Sequence, residues 1–76
     1  MKDLVEVIVK ALVDDPDAVV ITEKVDEKET IVVEVRVAED DMGKVIGKQG
    51  RIAKAIRSVV KAAAIKEDKK VSVDIV

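Results

Sequence analysis

The apolar residues of this 76-residue chain change period three times along its length, and few small folds accommodate that order. Leu4, Val5, Ile8, Ala11 and Leu12 recur at helical spacing, which predicts an amphipathic helix over residues 2–13 that stops before Pro16. Val19, Ile21 and Val25 then share one parity, and Ile31, Val33, Val35 and Val37 alternate with Thr30, Glu34 and Arg36. With the polar stretch 26–29 between them, these runs predict an antiparallel hairpin with one buried face. The helical period returns in a short segment carrying Met42, Val45 and Ile46, for which Glu39, Asp40 and Asp41 supply N-cap and first-turn acids. A longer helix opens near Arg51 and sets Ile52, Ile56, Val59, Val60 and Ala63 nearly opposite Lys54, Arg57 and Lys61. After a polar turn at 67–70, Val71, Val73 and Ile75 alternate with Ser72 and Asp74 in a final strand. The order αββααβ predicts one α+β domain over residues 1–76, its three-stranded sheet covered on one face by helices.

Composition removes most chemistry. The chain lacks Cys and His, so it has neither a disulfide framework nor a thiolate site, and the commonest metal ligand and general base are missing. Ser58 and Ser72 stand outside any triad-like setting. Gly43 to Lys48 spells G-x-x-x-G-K, one spacer short of a P-loop, with Gln49 where Ser or Thr binds magnesium. Asp14, Asp15 and Asp17 flank Pro16 and read as a turn rather than a cation site, because no spaced ligand loop ends in Glu. A non-enzyme without metal or cofactor is therefore expected. No run approaches the roughly 20 apolar residues of a bilayer span, and Met1-Lys2-Asp3 leads directly into the first helix rather than a signal-peptide block. A cytoplasmic protein without membrane contact follows as the expectation. Phe, Trp, Tyr and Asn are absent too, a pattern that a thermophile source, a reconstructed ancestor or a reduced alphabet explains equally. Modules that read RNA by stacking bases on aromatic rings are excluded in their usual form.

The net charge of −2 conceals a strong asymmetry. Residues 1–41 carry −8, residues 42–66 carry seven bases and no acid, and residues 67–76 carry −1. A positive patch on an acidic protein is a footprint for a polyanion, although such a run also serves simply to solvate a helix.

Within that basic segment lies Gly47-Lys48-Gln49-Gly50, a short joint between two helices. Glycine at both ends permits positive φ and close backbone approach, and the following helix presents its positive end at Arg51. Lys48, Arg51 and Lys54 can converge with those amides on one phosphate backbone, and Lys44 widens the patch. The competing reading is a plain tight turn with Gly47 as helix C-cap.

The segment Val45-Ile46-Gly47-Lys48-Gln49-Gly50-Arg51-Ile52-Ala53-Lys54-Ala55-Ile56 resembles the core of a KH domain, and αββααβ is the type II arrangement. Length, starting helix and the run from Asp41-Met42-Gly43 to Ala64 resemble the small single-domain bacterial KH proteins of the KhpA (YlqC-like) family. The resemblance implies binding of single-stranded RNA over about four nucleotides, as an RNA chaperone or post-transcriptional regulator. Gly47, Lys48, Gln49 and Gly50 correspond to the backbone clamp; Val45, Ile46, Ile52 and Ala53 to the groove floor; the second strand to the opposite wall. Val45 and Ile52 fit the plain core equally well. It further implies homodimers, for which Ile65 and Ala64 offer spare apolar surface, and pairing with a larger cytoplasmic RNA-binding protein that carries its own KH domain. Single-stranded DNA binding by the same clamp, and a dimerisation or protein-interaction module with little RNA binding, are the alternatives.

Overall fold

The computed structural model describes residues 1–76 and contains α1 (Lys2–Leu12), β1 (Val20–Val25), β2 (Ile31–Arg36), α2 (Met42–Ile46), α3 (Arg51–Lys66) and β3 (Val71–Ile75). Short 3-10 turns at Pro16–Ala18, Glu39–Asp41 and Lys48–Gly50 join them. The sheet order is β1-β2-β3, with β1 antiparallel to β2 and β3 parallel to β2. The element order αββααβ and the α+β layer structure are those expected from the sequence.

The hairpin turn explains the first sheet register. One carboxylate oxygen of Asp26 accepts the amides of Lys28 (2.8 Å) and Thr30 (2.9 Å), and Glu29 takes the left-handed conformation at φ 62°. That turn pairs Ile21 with Val35 and Glu23 with Val33. The β2–β3 register sets Val33 beside Val73, so one parity of all three strands faces the helices. The core is wholly aliphatic: Val5, Val9 and Val13 meet Ile21, Val33, Val35 and Val73 from the sheet and Val45, Ile56 and Val60 from the other helices. The opposite sheet face is open and polar, with Lys24 and Glu34 paired at 3.0 Å.

Four expectations need correction. Val25 shares the parity of Ile21 but is 65% exposed, at the last residue of β1 where the chain enters the hairpin turn. Val59 is half exposed and Ala64 is buried, so the packed stripe of α3 is Ala53, Ile56, Val60 and Ala64. Of the two residues offered as spare interface, only Ile65 faces out. Asp41 does not cap α2 with its side chain. Its carboxylate instead reaches back to the segment after α1, where it accepts the amides of Asp14 (3.2 Å) and Asp15 (3.1 Å). Burial pushes this carboxyl up, but those two N–H donors and the nearby Lys44 ammonium outweigh it and hold Asp41 below the usual aspartate value. It is the one buried charged side chain, and it fastens the start of α2 to the end of α1.

Candidate nucleic-acid interface

α2 and α3 meet at the turn Gly47-Lys48-Gln49-Gly50, and the backbone explains why those residues stand there. Gly47 has φ 74°, and a Cβ on it falls 2.5–2.9 Å from three side-chain atoms of Ile52. Only glycine lets Ile52 close over the turn. Gln49 (φ 58°) and Gly50 (φ 74°) are also left-handed, and the Gly50 amide donates to the Gly47 carbonyl at 3.1 Å. No side chain caps the N-terminus of α3 that follows. The turn therefore combines a bare backbone with the positive end of a 16-residue helix.

Five cations extend from this turn along α3: Lys48, Arg51, Lys54, Arg57 and Lys61. The ion pairs of the molecule are Lys10–Glu6, Lys24–Glu34 and the contacts of Lys44 with Asp14 and Asp41, so none of the five has a carboxylate within 4.0 Å. Lys44 differs from them. Its ammonium pairs with Asp14 and lies 3.7 Å from Asp41, and the Asp14 contact raises its pKa against the opposing effect of burial. The structure thus ties Lys44 to the α1–β1 connection and away from the basic stripe.

The apolar candidates separate as well. Val45 is completely buried and Ala53 nearly so; of the two readings open for Val45, the core is the one observed. Ile46 is 37% exposed beside the turn. Ile52 is half buried and, with Ile8, Leu12, Arg51, Ala55, Ile56 and Val59, lines an apolar groove of about 450 Å³ between α1 and α3.

The second strand, expected as the opposite wall, is not the one that flanks the basic side of α3. β2 is the central strand, so it offers no free edge; the strand flanking the basic side of α3 is β3. Two bonds to β2, from the Ile31 amide to the Lys70 carbonyl and from the Val76 amide to the Val35 carbonyl, fix the phase of β3. In a parallel ladder that phase turns the amides and carbonyls of Val71, Val73 and Ile75 toward the open edge. Arg57 confirms it by donating from Nε to the Val73 carbonyl at 3.2 Å. Arg57, Lys61, Val71, Ser72, Val73 and Asp74 line an open depression of about 320 Å³ there. Sequence spacing placed Arg57 and Lys61 on the same side as Lys54, but it could not assign them to a groove, because which strand lies beside α3 is decided by strand order.

The sequence profile described as KhpA/KhpB, KH domain, matches residues 2–75. The chain belongs to the KhpA/KhpB KH-domain family. Among KhpA relatives, "RNA-binding protein KhpA" of Clostridium perfringens is 64% identical over 76 residues, covering the whole of both chains. Those of Clostridium acetobutylicum, over the whole of both chains, and Listeria monocytogenes, over the whole of this chain and 99% of the relative, are 60% and 49% identical. Among solved structures, Aquifex aeolicus Era bound to GDP and AlF4 superposes with a TM-score of 0.64 at 18% identity over 97% of this chain. A structure of Era with MgGDPNP and nucleotides 1506–1542 of 16S ribosomal RNA gives a TM-score of 0.59 over 97% of this chain, also at 18% identity. The chain spans 28% of each Era chain, and the likeness concerns the KH fold.

Proposed function

We propose that this protein is a single KH domain that binds single-stranded RNA, with the turn 47–50 holding the sugar-phosphate backbone. The observation that carries the reading is the row of unpaired cations, Lys48, Arg51, Lys54, Arg57 and Lys61, aligned with a glycine turn into which a Cβ at position 47 does not fit. RNA binding, the function in the name of its relatives matched over their whole length, agrees. Phosphates meet bare backbone at the turn and ammonium or guanidinium groups along α3, while Ile46 offers an apolar shoulder at the turn. No aromatic ring is needed. On this reading the domain acts on RNA by holding it, as a chaperone or post-transcriptional regulator in the cytoplasm.

The opposite flank of α3 supports a second copy of the chain as partner. Docking the apolar groove of one copy on that of another about a twofold axis buries Val59, Ala55 and Ile52 and leaves both basic flanks outward. Two such sites on one strand raise the effective concentration of the second contact. A larger protein with its own KH domain, the partner that the family resemblance implies, is the alternative occupant of this surface. Single-stranded DNA remains the competing ligand, since phosphate contacts alone do not read the 2′-hydroxyl.

The test is an anisotropy titration with short single-stranded RNA and DNA on the protein and on a Lys48→Asp/Gln49→Asp variant. Binding that collapses in the variant while the helical signal persists supports the clamp; unchanged affinity refutes it.

A further inference from the structure

Gly47, Gln49 and Gly50 are all left-handed, and little that is polar keeps them so. The Gly50 amide donates to the Gly47 carbonyl and the Arg51 amide to that of Lys48, but no side-chain hydrogen bond or ion pair reaches residues 47–51. Two glycines in so short a loop leave the free backbone many alternatives. The nearest contact to Gly47 from outside the turn is Ile52. Its Cβ, Cγ1 and Cδ1 lie 2.5–2.9 Å from where a Cβ on Gly47 would stand, so the isoleucine rests against the bare α-carbon. On its other side Ile52 lines the apolar groove with Ile8 and Leu12 and packs on the core. Branching at Cβ leaves it one strongly preferred χ1 rotamer in a helix, which makes it a stiff strut between α1 and the turn.

We propose that Ile52 is a positioning residue for the RNA backbone clamp, acting through the turn from the α1 flank without touching RNA, an inference that rests on the RNA-binding reading above. Bare amides hold a phosphate only when they point at it together, and the apparent affinity of a site scales with the fraction of molecules already in that state. At 3.6 residues per turn, Ile52 stands about 160° round α3 from Lys54. The cations Lys54, Arg57 and Lys61 thus serve the strand from one flank while the isoleucine supplies order from the other. Ile8 separates this role from simple core filling. It lines the same groove and packs on the same core, but it is not among the atoms nearest Gly47.

Anisotropy with a single-stranded RNA hexamer, which reaches one site, tests this on the unaltered protein, Ile52→Ala, Ile52→Val and Ile8→Ala, each at a temperature where its unfolding curve shows it folded. Ile52→Ala is expected to weaken binding about tenfold, the loss that follows when the competent fraction falls to about a tenth. Ile52→Val keeps Cβ and both γ carbons, hence the stiff rotamer, and is expected to bind within about twofold of the unaltered protein. Ile8→Ala opens the same groove and is expected to leave hexamer affinity unchanged. Hydrogen exchange at the amides of residues 48–51 is expected to quicken in Ile52→Ala and not in Ile8→Ala. An Ile52→Ala affinity equal to that of the unaltered protein, an equal loss in Ile8→Ala, or no recovery in Ile52→Val overturns the strut while leaving backbone binding intact. Intermolecular nuclear Overhauser effects between the Ile52 methyls and RNA also overturn it, by making the residue a direct contact. Failure of the unaltered protein to bind the hexamer overturns both readings.

Discussion

α3 is one helix with two unlike flanks, and its neighbours account for the difference. Toward β3 it carries Lys54, Arg57 and Lys61 beside an open strand edge whose backbone polar groups tolerate water and ligand. Toward α1 it carries Ile52, Ala55 and Val59 beside Ile8 and Leu12, an apolar surface that the fold leaves uncovered. The fully buried stripe of this helix is Ala53, Ile56, Val60 and Ala64. Both flanks carry more exposed surface of one character than folding requires, and the proposed function uses them for different partners, a polyanion on one side and an apolar protein surface on the other.

The largest effect that sharpens this contrast comes from reversing charge at the turn. Lys48→Asp with Gln49→Asp is expected to weaken RNA binding by on the order of 100-fold, because like charges now face the phosphates. Sedimentation is expected to be unaltered, since neither residue lines the apolar groove. Binding by the unaltered protein is expected to fall with salt at a slope near −2 on logarithmic axes, for about three phosphates on a single strand. A flat salt response would break the contrast at once. Gly47→Ala comes next, and it strikes where the flanks meet. The new Cβ collides with Ile52, which lines the apolar groove, at a φ of 74°. A loss of about 2 kcal/mol in denaturant unfolding is expected, together with weaker RNA binding. Unchanged stability would show that the turn is looser than its geometry.

Val59→Asp addresses the other flank alone. The residue is half exposed and outside the packed stripe, so folding is expected to persist while sedimentation equilibrium shows loss of self-association. RNA affinity is expected to drop only through lost bivalency, roughly tenfold or more on long oligonucleotides, and to stay constant on a hexamer that reaches one site. A hexamer that binds much more weakly to this variant would mean that the apolar groove is part of the RNA site.

Much of this arrangement is legible from residue pattern. The period changes give the element order, and a Gly-x-x-Gly bounded by Ile46 and Arg51 marks the turn, because helical and strand periodicity and positive φ are local properties. What escapes is whatever depends on which element lies beside which. Val59 and Val60 are adjacent valines on one apolar arc, and only the position of α1 makes one exposed and the other core. That β3 rather than β2 lies beside the basic side of α3 follows from strand order, a long-range property. Asp41 reads as a helix cap, and its true partners are amides 26 and 27 residues earlier. Lys44 reads as part of the basic stripe for the same reason, since Asp14 is near it only after folding.

That last pair yields the smallest effect and the finest discrimination. If the contrast between flanks is correct, Lys44 belongs to neither, and Lys44→Ala is expected to leave RNA affinity within about twofold and the salt slope unchanged. A true phosphate-binding lysine instead lowers the slope by about 1. Its role is read from acid unfolding. Asp41 is held below the ordinary aspartate value because its two amide donors and Lys44 outweigh burial, so its contribution to stability is complete above the unfolded value near 3.9. That contribution is lost as pH falls from about 4 through the depressed folded value. Lys44→Ala removes part of the depression, so the loss still begins near the unfolded value but is expected to end at a higher pH, and to be smaller in total, than in the unaltered protein. Asp41→Asn abolishes this component of the acid limb altogether. An acid limb that neither variant moves would show that the staple between α1 and α2 carries no charge dependence.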